Sequence, residues 1–200
     1  ILSIGCGAAP DLMAFEKYII ENQFNKTIAY FGIDKNPLWK NIQAKINDYP
    51  SDIITNSNFM CTDAMEYLSN NFINSANVIV LQYVISHFYN TRQIKNLESF
   101  FKNIVHQVIE NKNSWEPLVI LINDINSNKR GRDYFIKLME FIDSHKYNIN
   151  FKKFYFDHNI KHNSQRYGEK HPNKNVLFNL KEFDLQQYEP WDYCSSAQLL

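Results

Sequence analysis

The 200-residue chain has no surplus of charge, since 21 Lys and Arg balance 21 Asp and Glu. That removes a global field as a reason to bind nucleic acid or an anionic membrane, although it does not exclude a local patch. Cysteine is scarce. Cys6, Cys61 and Cys194 stand far apart without any CxxC pair, which argues against a disulfide framework and against paired-cysteine zinc spacing. A reducing, cytoplasmic setting is expected. Long apolar runs are also missing: NVIVLQYVI is interrupted by Gln82 and falls far short of the ~18 residues of a membrane helix. No membrane partner is expected. There is no initial Met, and Ile1 already lies in a strand-like run, so a truncated N-terminus is expected and any targeting signal would lie outside these residues. The length and the 44% hydrophobic content suit one domain over residues 1–200.

What is present is alternation. Short β-branched or aromatic runs at 1–5, 27–33, 57–61, 77–84 and 117–123 are separated by segments of helical periodicity near 10–23, 37–47, 63–70, 90–112 and 130–146. Leu12, Met13, Phe15, Ile19 and Ile20 roughly follow a buried stripe in the first helix; Ile94, Leu97, Phe101, Ile104, Val105 and Val108 do so in the fourth. Such alternation predicts an α/β, doubly wound, mostly parallel sheet with right-handed crossovers. After about residue 147 the rhythm changes. NFKKFYFD and CSSAQLL read as strands, with NVLFNL as a short strand candidate between them. Successive strands without a helix between them predict an antiparallel C-terminal hairpin, and a seven-stranded sheet in all.

Glycine is rare, with five in the chain, yet Gly5 and Gly7 flank Cys6 where the first strand stops, in ILSIGCGAAPDL. Lacking Cβ atoms, they let the backbone turn tightly and approach a ligand, while a helix starting near Pro10 turns free N–H groups toward it. A dinucleotide fingerprint would place a third glycine at Pro10, which disfavours a pyrophosphate there and with it a nicotinamide-dependent dehydrogenase. An ordinary strand-to-helix turn is the alternative. Asp34 follows the second strand in YFGIDKN, where a carboxylate can accept hydrogen bonds from ribose hydroxyls; Asp34 or Asn36 could equally cap a helix. Asp63 follows the third strand in CTDAMEYL, where it could meet an exocyclic amine of adenine while the backbone of Ala64 meets the ring. Its alternative is again a cap, with Glu66 at capping-box spacing. Gln82, Tyr83, Ser86 and His87 bring polar groups to the carboxyl edge of the sheet after the fourth strand, where open α/β folds bind ligands.

In this order and spacing, ILSIGCGAAPDL, YFGIDKN, CTDAMEYL and VIVLQYVISHF resemble the first four motifs of class I S-adenosylmethionine-dependent methyltransferases. The resemblance covers essentially the whole chain, and the late strands correspond to that family's terminal hairpin. It implies that S-adenosyl-L-methionine is bound, with Gly5, Cys6 and Gly7 passing over its methionine part. It further implies that Asp34, with Lys35 beside it, holds the ribose, that Asp63 and Ala64 hold the adenine, and that Gln82 and Tyr83 lie beside the sulfonium. The Ala8-Ala9-Pro10 run departs from a glycine-rich continuation and bears on the shape of the loop.

Methyl transfer is an in-line displacement that asks mainly for positioning and, where needed, a proton acceptor. His87 is the candidate general base, and Asp124, beyond the fifth strand, could orient a substrate amine or hydroxyl. A structural histidine and an Asx turn are the respective alternatives. Arg130 and Arg132 would suit an anionic group or a solvated helix start. QYVISH has no proline pair like that of amino-methylating DNA enzymes, and no Pro-Cys dipeptide occurs anywhere in the chain, so two nucleic-acid chemistries are disfavoured. Segment 152–174 mixes Lys152, Lys153, Lys161, Arg166, Lys170 and Lys174 with Phe154, Tyr155, Phe156 and Tyr167. Such a segment could stack single-stranded nucleic acid or form a half-buried strand with a solvated loop. His158, His162 and His171 lack paired cysteines, and no metal is expected. The expectation is a methyltransferase acting on a small molecule, RNA or protein; the alternative is a silent methyltransferase-like module that serves as a partner-binding platform.

Overall fold

The computed structural model describes residues 1–73, 75–113, 115–125, 131–144, 150–157, 169–170 and 195–200. Five strands, β1 (Leu2–Ile4), β2 (Ile28–Ile33), β3 (Ile54–Met60), β4 (Val78–Gln82) and β5 (Val119–Ile125), run parallel in the order β3-β2-β1-β4-β5. Between them run α1 (Pro10–Glu21), a 3-10 turn (Pro37–Trp39) leading into α2 (Lys40–Asn47), α3 (Ala64–Asn70), α4 (Val84–Asn90) and α5 (Leu97–Ile104), while α6 (Phe135–Ser144) follows β5. Beyond β5 lie β8 (Ser195–Leu199), β6 (Lys153–Asp157) and the two-residue β7 (Glu169–Lys170), which makes an eight-stranded sheet among the described residues. β8 pairs antiparallel with both β5 and β6. NVLFNL, Arg130, the three histidines and most of the basic aromatic segment lie outside the described residues.

Each sheet face has its own core, as alternation along a strand requires. Leu2, Ile4, Ile33, Ile79, Leu81 and Ile122 meet α3 to α6 through Leu68, Ile85, Phe88, Phe100, Phe101 and Phe135. On the opposite face, Ile28 and Tyr30 pack with Leu12, Met13, Phe15 and Ile19 of α1 and Ile46 of α2. The stripe read for α1 therefore holds up to Ile19, but Ile20 is exposed. In the fourth helical segment Phe100 joins the buried set, since positions three and four apart share a helix face.

That segment is not one helix. Tyr83 adopts a left-handed conformation (φ 56°), which ends β4 and starts α4, and Arg92 (φ 59°) breaks the chain direction just after α4. A 3-10 turn (Ile94–Asn96), α5 and a π-helical turn (Val105–Ile109) then complete it. Read by their aromatic and β-branched character, Tyr83 and Val84 extend the strand. In the structure, helix formation instead buries Ile85, Ser86 and Phe88.

The α1 face holds a buried polar group. The Tyr30 hydroxyl donates to Asp11 Oδ1 at 3.0 Å, while Asp11 Oδ2 is buried without a partner. Burial raises the Asp11 carboxyl above its ordinary 3.8, and the hydrogen bonds from Ser3 and Tyr30 offset only part of the shift. A raised native value means that the stability from this group is full below pH 3.8 and is lost as pH rises through the raised value. Asp11→Asn should therefore flatten the pH dependence of the urea-unfolding free energy above pH 4. An unchanged slope would show that Asp11 does not set it.

Candidate functional site

The parallel register brings the strand ends level. Ile4 pairs with Ile33 on one side and Leu81 on the other, and Ile33 pairs with Met60. The segments leaving β1, β2, β3 and β4 therefore emerge side by side, and a cleft of about 290 Å³ opens among them. Its walls include Gly5, Asp34, Lys35, Asp63, Ala64, Gln82, Tyr83 and His87. Residues taken from four separate stretches of the sequence thus share one cleft. Cys6, Gly7 and Asp124 do not line it.

The loop after β1 is built on alternating left-handed residues: Gly5 (φ 70°), Gly7 (φ 53°) and Ala9 (φ 52°). Gly5 has no room for a side chain, because a Cβ there would stand 2.9 Å from Cγ2 of Val84 at the start of α4. At Ala9 the same conformation carries a methyl group and costs about 1–2 kcal/mol; Pro10 then starts α1 without needing its missing N–H. Asp34 anchors this loop. Its Oδ2 accepts from the Gly7 N–H at 2.9 Å and its Oδ1 from the Asn36 N–H at 2.8 Å. Each oxygen keeps a further lone pair, so ribose-type hydroxyls could be accepted without releasing either loop. Gln43 of α2 donates to the Gly7 carbonyl at 2.8 Å. Cys6 turns its side chain into the α1-side core, where burial pushes the thiol up to about 12, so this cysteine supplies backbone rather than a nucleophile.

Asp63 serves in two ways. Its Oδ1 accepts from the Met65 N–H at 2.9 Å and caps α3, while Oδ2 lies 3.9 Å from the Lys35 ammonium. Both side chains are about half exposed, so the ion pair contributes little to stability, but it sets the charge on this side of the cleft. His87 is exposed on α4 and lines the opposite wall.

Asp124 is placed differently from a residue facing substrate. It is fully buried behind α4, where Oδ2 accepts from the N–H groups of Ile85 (2.8 Å) and Ser86 (3.1 Å) and Oδ1 from that of Ile125 (2.7 Å). Burial raises its carboxyl, against the pull of the Ser86 hydroxyl and of those backbone donors. Arg132, read as a solvated helix start or an anion site, is buried with its Nε 3.4 Å from Asp133. Trp39 is a wall residue that motif reading misses. Its indole packs 3.7 Å from where a Gly7 Cβ would stand, and it borders the cleft. The sequence signal was a large aromatic closing the Asn-Pro-Leu-Trp turn directly behind Asp34.

No protein-family model and no curated protein matches the sequence. Solved structures do. The bifunctional kinase-methyltransferase WbdD matches at 12% identity over 64% of this chain and 24% of its own, with a TM-score of 0.45. A SAM-dependent methyltransferase from Archaeoglobus fulgidus matches at 14% identity over 99% of this chain and 83% of its own, TM-score 0.47. A putative methyltransferase from Thermoplasma acidophilum matches at 8% identity over 99% and 65%, TM-score 0.49. The chain spans about a quarter of the length of the WbdD structures. Every one of these TM-scores is below 0.5, and the site is read from its own residues.

Asp34→Ala should lower the unfolding free energy by about 1–3 kcal/mol, because two backbone donors lose their acceptor. Asp34→Asn, which keeps one acceptor oxygen, should lose roughly half as much. Urea denaturation of the ligand-free protein checks both.

Proposed function

We propose that the cleft binds S-adenosylmethionine and that the protein transfers its methyl group to an acceptor. The observation that carries this reading is the convergence of the Gly5 loop, Asp34, Asp63 and the Gln82–Tyr83 turn on one cleft. Bound there, the donor would supply an activated methyl group on a sulfonium. Charge favours the match: Asp34 and Asp63 outweigh Lys35 by one negative charge, and the donor carries one net positive charge.

The chain's residues divide the work. Gly5, whose missing side chain lets Val84 pack beside the loop, presents its backbone to the methionine part. Asp34 accepts from ribose hydroxyls through its remaining lone pairs, and Lys35 stands over the same edge. Asp63 accepts from the exocyclic amine, with Ala64 against the ring. Gln82 and Tyr83 border the sulfonium, and His87 on the facing wall takes a proton from the acceptor when the nucleophile carries one. The donor end alone carries this reading, which holds for a small-molecule, RNA or protein acceptor alike.

One observation favours a second reading. Asp124 is buried behind α4, so of the two residues read as catalytic His87 alone lines the cleft. A chain that bound donor without turning it over would be a methyltransferase-like platform for a partner.

Isothermal titration with S-adenosylmethionine and S-adenosylhomocysteine tests the donor reading. Saturable binding is expected, with Asp34→Ala and Asp63→Ala each weakening both ligands by about tenfold, the cost of a lost hydrogen bond to a charged acceptor. Heats no different from buffer dilution for the unaltered chain would sink the reading. Trp39 provides an independent signal: the ligand should change tryptophan emission, and Trp39→Phe should diminish the change, because Trp39 borders the cleft and Trp115 a different cavity, while Trp191 lies outside the described residues.

A further inference from the structure

Tyr83 occupies a conformation that its side chain disfavours, and its neighbours hold it there. With φ 56° and ψ 24° it is left-handed, at a cost of about 1–3 kcal/mol that persists only where the surroundings impose it. The restraints come from two directions. The Tyr83 N–H donates to the Asn123 carbonyl on β5 at 2.8 Å, and the Tyr83 carbonyl accepts from the Ser86 hydroxyl at 3.2 Å. Asp124, the next residue along β5, accepts from the Ile85 and Ser86 N–H groups. Consecutive residues of β5 thus grip both the bend at Tyr83 and the first turn of α4.

The far side of Asp124 is closed as well. A Cβ at Gly131 would lie 2.4 Å from the Ile125 carbonyl and 3.1 Å from Asp124 Oδ1, so glycine is needed for the chain to return across the carboxylate. Asp124 has little room to change rotamer. What it holds is one wall of the cleft: Gln82 and Tyr83 before the turn, Val84 in it and His87 one residue beyond Ser86.

We infer that Asp124, together with Ser86, is a positioning residue that fixes the β4-to-α4 turn, so that Tyr83 and His87 face the methyl end of the bound donor. The inference rests on the methyl-donor reading of the cleft and adds to it a residue that touches neither donor nor acceptor. Its consequence is directional. The adenosine end depends on Asp34 and Asp63, which belong to the segments after β2 and β3 and do not share the Asp124 network, so loosening the turn harms the methionine end selectively. An effect on stability alone would weaken all ligands alike or none.

The experiment compares two probes, S-adenosylmethionine and adenosine, by calorimetry on the wild type, Asp124→Asn and Ser86→Ala, with thermal melts to confirm folding. In Asp124→Asn the ratio of donor affinity to adenosine affinity should fall about tenfold, because small misplacements of contact groups are costly. In Ser86→Ala, which removes the hydroxyl's bonds to Tyr83 and to Asp124 and leaves the backbone bonds of Asp124 in place, it should fall by about threefold. Ser86→Ala also keeps the test decisive if Asp124→Asn fails to fold, and Ser86→Thr, which retains a hydroxyl, should restore the ratio. Donor binding by the wild type with an unchanged ratio in the folded variants would overturn the inference alone. Absence of donor binding by the wild type would overturn the methyl-donor reading, and the inference with it.

Discussion

One carboxylate at the end of β2 ties together the two segments that shape the cleft floor. Asp34 accepts from the Gly7 N–H with one oxygen and from the Asn36 N–H with the other. The first bond holds the left-handed loop after β1; the second holds the turn that carries Trp39. Gln43 adds a tie from α2 to the Gly7 carbonyl. A short side chain can do this only because β1 and β2 are adjacent, parallel and level at their ends. The sheet register is thus the cause, and the cleft the consequence.

The opposite wall depends on a second carboxylate with a different character. Asp34 stands in the cleft, with lone pairs to spare for a ligand. Asp124 lies in the interior, with both oxygens committed to backbone donors. The two residues occupy similar places on their strands, just at or beyond the carboxyl edge. What separates them is the element packed beside each strand end. After β2 the chain leaves by a short 3-10 turn along the cleft, whereas α4 sets its first turn down on the end of β5 and covers Asp124.

That difference explains what could be read from the sequence. The alternation of strands and helices, and the residues directly after β1 to β4, were legible because a parallel sheet places every such residue on one edge regardless of side-chain detail. Gly5, Asp34, Asp63 and Gln82 therefore line one cleft. Asp124 satisfied the same positional rule but not the same exposure, because exposure depends on where α4 begins. The start of α4 was hidden by the β-branched Val84 and Ile85, which suit a strand as well as a buried helical turn. Trp39 escaped because it fills space beside Gly7, a residue of another loop that no local motif connects to it. The Asp11 to Tyr30 bond was hidden for a similar reason: periodicity assigns a face to a polar residue, but not a partner across the layer.

The insertion of β8 between β5 and β6 has a consequence for assembly. β6 ends at Asp157 and β8 begins at Ser195, so a strand made early waits for one made late, and β6 cannot join the sheet beyond β5 until the later segment arrives. Until then β5 presents an open rank of backbone donors and acceptors, a template for unwanted pairing. Such long-range pairing is entropically slow to form. The same five residues act afterwards as a double seal, closing β5 on one side and β6 on the other. Synthesis from the ribosome would therefore deliver the cleft-forming strands first and the clasp that protects their sheet afterwards, so this edge is most vulnerable to aggregation before Ser195–Leu199 emerges.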